Sequence, residues 1–173
     1  MTTDQTLIPD VMDLEALWMG GRLAVIHHAP EYGDNAPAIT ESWLNVGQGP
    51  KEFRHNNMGV AYYLIEGHMT FSIEGELVEL QAGRALTVPA GVRHTYRVNP
   101  PLVARLLMVN TPGRPWVDYL RAIGQEATAG TLPPSTFEPI PMACVQRVAT
   151  GNGLEFVGPR LPGSSRSGND GDA

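Results

Sequence analysis

The chain has 173 residues, which is enough for one domain with a substantial hydrophobic core. Hydrophobic residues make up 42% of it and charged residues 17%, while 19 glycines and 15 prolines favour short strands and turns over long helices. The net charge of −6 comes without a basic stripe, so we do not expect a nucleic-acid partner. The single cysteine, Cys144, excludes an internal disulfide and a cysteine-based zinc site.

The N-terminal residues, MTTDQTLIPDVMDLE, carry acidic side chains where a secretory signal would carry basic ones. No apolar run approaches the roughly 20 residues that span a bilayer. These features predict a soluble cytoplasmic protein that does not act at membranes. Helix-favouring residues followed by a Gly-Gly turn predict a short helix or arm over residues 7–21, so we assign residues 1–20 to an N-terminal arm. The next segment, RLAVIHH at residues 22–28, is β-rich.

The middle of the chain has the pattern of a sandwich or barrel. A strand is predicted at residues 39–46, and further short runs of β-branched or aromatic residues follow at a spacing of about ten residues, separated by Gly, Pro or acidic turns. Glu74-Gly75 is a good hairpin turn between two of these runs. The runs are residues 60–66, 68–73, 76–80, 85–89, 94–98 and 102–110. We therefore predict an all-β barrel over residues 21–112.

The pattern changes after this barrel. Pro115 can occupy the first turn of a helix, and five apolar residues after it share one helical stripe: Trp116, Val117, Tyr119, Leu120 and Ile123. A second helix is predicted to begin near Pro141 and to end at residues 151–153. We expect residues 113–162 to form a helical extension packed on the barrel. The polar tail at residues 163–173, GSSRSGNDGDA, is expected to be disordered.

A glycine-anchored frame lies at the centre of the chain. Its residues are Gly47, Phe53, His55, Val60 and Gly67, with intervening gaps of five, one, four and six residues. The first motif of the cupin superfamily has the same gaps, with histidine in the second and third places and glutamate in the fourth. The frame is therefore similar to a cupin motif in which one histidine and the glutamate have been replaced.

A second frame begins at Gly83, 16 positions after Gly67, and continues with Pro89, Gly91 and His94. Asn99 follows one place later than the asparagine of the commonest cupin pattern. Glycine and proline make the tight turns between barrel strands. Two such frames in register resemble the cupin superfamily strongly. The resemblance implies a double-stranded β-helix barrel, or jelly roll, with the histidines pointing into its mouth, and it implies a homodimer.

Four further segments resemble the quercetin dioxygenase-like branch of bacterial cupins, so that the resemblance covers roughly residues 17–162. They are WMGGRLAVIHHAPEYGD, ESWLNVGQGPKEFRH, NTPGRPWVDYLRAIGQEA and NGLEFVGPRLPG. Members that activate dioxygen hold Fe, Ni, Mn or a similar metal with three histidines and the glutamate. Here Phe53 and Val60 stand at two of those places, and two neutral imidazoles alone make a weak site. We therefore expect no cofactor; if a divalent metal (Fe, Ni, Mn or Zn) binds, His55 and His94 are its ligands.

Without a metal, His55 and His94 can act as general acid or base toward a bound ligand. Strand alternation places Tyr62 on the same face as Val60, and Tyr96 on the same face as His94, where each tyrosine either contacts substrate or packs in the core. The candidate catalytic residues are His55, His94, Tyr62 and Tyr96, and the candidate pocket residues are Phe53, Val60, Trp43, Leu64 and Asn57. Glu41, Trp43 and Asn45 share one strand face, which is either pocket wall or solvent side.

These features predict a small-molecule enzyme of the cupin type. Its substrate would be an apolar, aromatic or polyketide-like metabolite, and its reaction a non-redox cyclisation or isomerisation in a metal-poor pocket. One alternative is a metal-dependent, quercetin dioxygenase-like oxygenase that uses His55 and His94. Another is a protein that binds a small ligand without catalysis.

Overall fold

The computed structural model describes residues 14–31 and 35–164. Within these residues the chain forms two antiparallel sheets and two helices. In chain order the elements are β1 (Glu15–Met19), β2 (Arg22–His28), β3 (Ala38–Leu44), β4 (Phe53–His55), β5 (Gly59–Glu66), β6 (His68–Ile73), β7 (Glu76–Gln81), β8 (Ala85–Val88), β9 (His94–Val98), β10 (Ala104–Thr111), α1 (Arg114–Ile123), β11 (Gln125–Glu126), α2 (Met142–Gly151) and β12 (Leu154–Phe156).

The larger sheet has the strand order β11-β1-β2-β3-β10-β5-β8, and the smaller one has the order β12-β4-β9-β6-β7. The core lies between the two sheets, since apolar side chains of both are fully buried in one cluster. Leu64 and Leu106 come from the larger sheet, and Met69, Phe71 and Val98 from the smaller. Non-consecutive strands are neighbours in both sheets, as in a jelly roll. The prediction of an all-β barrel of the cupin type is confirmed.

The predicted helix at the N-terminal end is wrong for the residues that the structure describes. Glu15–Met19 is strand β1, which pairs with β2 and extends the larger sheet. Its inward residues Leu17 and Met19 join the main core, while Ala16 packs in a second cluster on the outer face. Burial on both faces favours an extended segment over the helix that local propensity suggests. Residues 1–13 of the predicted arm lie outside the described residues.

The two predicted helices are confirmed. Helix α1 has Pro115 in its first turn and buries the predicted stripe of five residues against the barrel. Helix α2 begins after Pro141 and ends at Gly151. The chain then returns to the barrel, because β12 pairs with β4 and widens the smaller sheet. This last strand was not predicted, and most of the tail, from residue 165 onward, lies outside the described residues.

The turn between β6 and β7 is the one that the sequence predicts. Glu74 and Gly75 both have positive φ, 51° and 87°, which matches the twist of a two-residue hairpin. Neither helix of the described residues is long and apolar enough to cross a membrane.

Candidate functional site

The two motif frames converge inside the barrel. Phe53 and His55 lie on β4, whose Phe53 pairs in register with His94 of β9. The ring centroids of Phe53 and His94 are 4.3 Å apart, and those of the two histidines are 6.0 Å apart. His55 is 3% exposed and His94 is fully buried. The structure therefore places both predicted histidines in one buried centre, with a phenyl ring between them.

Both nitrogens of the His94 ring have partners. Nδ1 lies 3.1 Å from the carbonyl oxygen of Val92, and Nε2 lies 2.9 Å from the hydroxyl of Tyr62. A carbonyl oxygen only accepts, so Nδ1 carries the proton of the neutral ring. Nε2 is then the acceptor, and the Tyr62 hydroxyl donates to it. The sequence prediction that Tyr62 faces inward agrees with this geometry.

His55 has a different environment. Its ring packs edge-on against the indole of Trp116, at 5.7 Å between centroids, and edge-on against Phe53 at 5.3 Å. Its buried Nδ1 has no hydrogen-bond partner among the described residues. A buried polar atom left without a partner costs about 1–3 kcal/mol, so such an atom is a natural contact for a ligand.

Burial keeps both imidazoles neutral. Burial, with a smaller contribution from the nearby His94, lowers the pKa of His55 from 6.5 to about 3. Burial also lowers the pKa of His94 to about 4, although the hydrogen bond to the Val92 carbonyl opposes this effect. Burial raises the pKa of Tyr62 well above 10, with the neighbouring Tyr96 adding to the rise. At neutral pH the centre therefore consists of two neutral imidazoles and a protonated phenol.

Aromatic rings continue from the histidines toward the other end of the interior. Tyr62 contacts Phe71 at 5.1 Å and Tyr96 at 6.1 Å, and the last two rings are 5.3 Å apart. Val60 and Leu64, on either side of Tyr62 along β5, are buried in the same core. The predicted residues Phe53, Val60, Tyr62, Leu64 and Tyr96 thus all face the barrel interior with the histidines.

Trp43 and Asn57 do not join them. Trp43 lies on the outer face of the larger sheet, in a cluster with Ala16, Leu23, Val25 and Ala127, so its prediction as a pocket residue is wrong. Glu41 lies on that face too, buried, and its carboxylate is bonded to His27 at 2.7 Å and to Arg105. Asn57 is exposed on the loop after β4. Both faces of β3 are covered, and alternation alone does not tell which one is interior.

Two interior polar side chains, those of Asn110 and Thr40, were not predicted. Asn110 is the last inward-facing residue of β10 and pairs with Val60 of β5. Both polar atoms of its buried side-chain amide lack hydrogen-bond partners among the described residues. Thr40 accepts a hydrogen bond of 3.0 Å from the indole nitrogen of Trp116. The signal for Asn110 was present in the sequence, because a polar residue follows Leu106 and Met108 at a spacing of two in a strand that alternates.

Among the cavities beside the described residues, two are lined partly by residues of α1 and α2, and neither of these two is lined by His55 or His94. One, of about 130 Å³, has Tyr96 in its wall and lies beside α1 and α2. The other, of about 390 Å³, lies between the loop after β4 and the start of α1, with Asn57 and Met58 in its wall. The two imidazoles are therefore enclosed by packed side chains, with Tyr96 between them and the smaller cavity.

Comparison with known families agrees with this architecture. The segment 43–110, from the end of β3 to β10, matches the family model of the cupin domain. Over these residues the chain is similar to cupin domains. The narrower likeness to quercetin dioxygenase-like cupins stays a prediction. No curated protein matches the sequence at a significant level.

Solved structures with this cupin fold differ in what they do. The polyketide cyclase RemF from Streptomyces resistomycificus superposes with a TM-score of 0.50 at 20% identity, covering 64% of this chain and 80% of its own. The nucleoside dehydratase Pac13 from Streptomyces has a TM-score of 0.49 at 18% identity, covering 65% and 84%. KdgF from Halomonas sp. has a TM-score of 0.48 at 18% identity, covering 54% and 81%. At these identities the likeness concerns the fold alone.

The side chains of this cupin centre do not fit the metal set of three histidines and a glutamate. Phe53 and Val60 offer no donor atom, and both nitrogens of His94 already have partners. Within residues 14–31 and 35–164, no group of three or more His, Cys, Asp or Glu side chains is arranged to hold a metal ion. The arrangement offers instead a hydrogen-bonded phenol–imidazole pair and an unpartnered imidazole nitrogen in apolar surroundings.

Proposed function

We propose that this cupin is an enzyme that rearranges a small, largely apolar, aromatic or polyketide-like metabolite by a non-redox cyclisation or isomerisation, without a metal. The observation that carries the proposal is the buried hydrogen bond from Tyr62 to His94. A neutral imidazole that accepts from a phenol can move a proton in either direction, which such reactions require.

In the proposed reaction, the Tyr62 oxygen takes a proton from a C–H or O–H group of the substrate while its own proton passes to Nε2 of His94. The substrate becomes an enolate or phenolate, and the imidazolium formed beside it balances its charge. In an isomerisation, the proton returns through Tyr62 to a different substrate atom. In a cyclisation, the enolate carbon forms a C–C bond to a carbonyl carbon of the same molecule while the C=O π bond breaks, and the alkoxide so formed takes the proton. No electron is gained or lost.

Two unpartnered groups support a role in holding the substrate. Nδ1 of His55 and the amide of Asn110 are buried polar atoms that hydrogen-bond to nothing in the described residues. A carbonyl or hydroxyl oxygen of the substrate would satisfy them and orient the reacting carbon. The surrounding rings exclude water, which strengthens each of these hydrogen bonds. Tyr96 has to move for a substrate in the smaller cavity to reach Tyr62.

The proposal is tested by proton exchange in heavy water, followed by proton NMR. The substrates are phenyl-substituted β-diketones and β-keto acids, whose acidic C–H group reports proton abstraction without net turnover. We expect the wild type to exchange this group faster than buffer does, and His94→Gln and Tyr62→Phe to be slower by about 100-fold or more. His28→Gln, which alters an exposed histidine at the end of β2, serves as the control and should match the wild type.

The same samples distinguish the alternatives. A non-redox enzyme exchanges equally well with and without dioxygen, whereas a dioxygenase would consume oxygen and contain stoichiometric metal that disappears in His55→Ala. Exchange at the buffer rate by the wild type and by both variants would contradict catalysis and favour a protein that only binds ligand.

A further inference from the structure

The smaller cavity has a composition unlike the rest of the protein. It lies between the β1–β2 hairpin, the loop that leads into β4, and helices α1 and α2. Its apolar wall is made by Met19, Leu44, Ile123, Ile140, Val145 and Phe156. Three basic residues also line it, Arg22, Lys51 and Arg160, and no acidic residue does.

This concentration of positive charge stands out in an acidic chain. The protein has 18 Asp and Glu residues against 12 Lys and Arg, and Lys51 is its only lysine. Basic groups gathered on a partly apolar surface without compensating carboxylates attract an anion. The local charge therefore has the opposite sign to the net charge of −6.

The side chains of Arg22 and Lys51 are available to such an anion. Neither Arg22 nor Lys51 forms an ion pair with a carboxylate among the described residues. The Arg22 guanidinium donates a hydrogen bond of 3.1 Å to the sulfur of Met19, which is a weak acceptor. The charge of Arg22 also acts on the cavity residue Tyr119, whose pKa burial raises to about 12 and the guanidinium lowers. Arg22 and Tyr119 line the same cavity.

The size of the cavity limits the ligand. Its volume is about 130 Å³. An apolar cavity of about 150 Å³ holds one benzene molecule, so this one accommodates a single ring or a short alkyl chain. The combination of one apolar compartment and a basic edge matches a molecule with one hydrophobic part and one carboxylate.

We propose that this cavity binds a small carboxylic acid with a single aromatic ring or short alkyl group. The carboxylate pairs with Arg22 and Lys51, and the apolar part packs against Leu44, Ile140 and Phe156. Tyr96 forms the wall between this cavity and Tyr62, so the bound acid would be the substrate of the proposed reaction; only that last step rests on the proposed function.

The experiment measures binding of sodium benzoate by isothermal titration calorimetry, with neutral benzyl alcohol and cationic benzylamine as matched probes. We expect benzoate to bind at least about 10-fold more tightly than either, because a hydrogen bond to a charged group is worth more than a neutral one. Lys51→Gln and Arg22→Gln should each weaken benzoate binding by about 10-fold. Arg84→Gln changes an exposed arginine away from the cavity and should leave the affinity unchanged.

A second readout uses the single lysine. Reductive methylation with isotopically labelled formaldehyde gives Lys51 one NMR signal, which is identified by its loss in Lys51→Gln. Benzoate should shift this signal, and benzyl alcohol should not. An unshifted signal, or equal affinities for benzoate and benzyl alcohol, would overturn the proposal.

The outcome is separable from that of the proton-exchange assay. His94→Gln should bind benzoate like the wild type even where exchange is lost, because the imidazole does not line the cavity. Proton exchange without benzoate binding would overturn the proposed acid site and support the proposed reaction. Benzoate binding without proton exchange would support the acid site and overturn the proposed reaction.

Discussion

The buried histidines predict that the folded protein loses stability as the pH falls from about 7 to about 5. Burial lowers the pKa of His55 to about 3 and that of His94 to about 4, against 6.5 for an ordinary histidine. In this pH range the unfolded chain takes up protons on both imidazoles and the folded chain does not. The free energy of unfolding therefore rises with pH until the unfolded imidazoles are neutral, and it declines as the pH falls below about 6.5.

The magnitude follows from proton linkage. Between pH of about 7 and about 5, each of His55 and His94 should remove about 2 kcal/mol of stability, or about 4 kcal/mol together. This result depends little on the folded pKa, as long as that value stays at about 4 or below. A loss of about 4 kcal/mol is a large share of the total stability of an ordinary domain, which is about 5–15 kcal/mol.

Carboxylates whose pKa is lowered add little to the change in stability between pH of about 7 and about 5. Arg121 lowers the pKa of Glu15, Arg93 lowers that of Glu74, and Asn56 with Arg54 lowers that of Glu155, all from 4.5. A depressed carboxylate pKa gives stability that is present above 4.5 and is lost as the pH falls below that value. These groups therefore contribute to acid unfolding mainly below the pH range of the histidine effect.

The assay is urea denaturation followed by tryptophan fluorescence, at several pH values and constant ionic strength. We expect His55→Leu and His94→Gln each to remove about half of the pH dependence, and the double variant to remove nearly all of it. His28→Gln should keep the full dependence, since this side chain is exposed in the folded chain. A wild-type change below about 1 kcal/mol, or a double variant with an unchanged slope, would refute the reasoning.

Two further substitutions test the packing around the site. Tyr62→Phe leaves the buried Nε2 of His94 without its donor, so it should cost about 1–3 kcal/mol in urea denaturation; an unchanged midpoint would show that the hydrogen bond contributes no stability. Gly49→Ala places a methyl group on the carbonyl oxygen of Tyr96, a backbone atom that cannot move aside easily, and should cost about 3 kcal/mol or prevent folding. Gly151→Ala, in open space at the end of α2, is its control and should be neutral or slightly stabilising by thermal melting.

The sequence predicts the histidine centre well because the two motif frames fix turn positions, and turn positions fix which strand residues face inward. Gly47 and Gly67 both have positive φ and begin and end the first frame as turns. Between them, alternation correctly places Phe53 and His55 in the interior. The second frame does the same for His94, so both imidazoles were predicted from the resemblance of the two frames to the cupin motifs.

What the sequence does not predict depends on packing between distant segments. Strand β1 is extended because the loop after α1 covers its outer face, with Ala127 in the same cluster as Ala16. The same cover buries Trp43 away from the histidines and leaves both faces of β3 largely buried, so alternation does not tell which face is interior. The basic cavity joins residues from the β1–β2 hairpin to Arg160, and no single motif contains them.

The apolar side chains of Phe53 and Val60, at places where the cupin motif has a histidine and a glutamate, have a consequence for the charge that the proposed site accepts. An apolar centre that lowers the pKa of His94 to about 4 also makes its imidazolium unstable unless a negative charge forms beside it. A substrate that becomes an enolate or phenolate supplies that charge at the moment of proton transfer. In the proposed reaction, the enclosed histidines would be poor bases toward acids in bulk solvent and effective bases toward a substrate bound beside them. In the proposed reaction this selectivity depends on the burial of both histidines, so the apolar side chains of Phe53 and Val60 are compatible with catalysis.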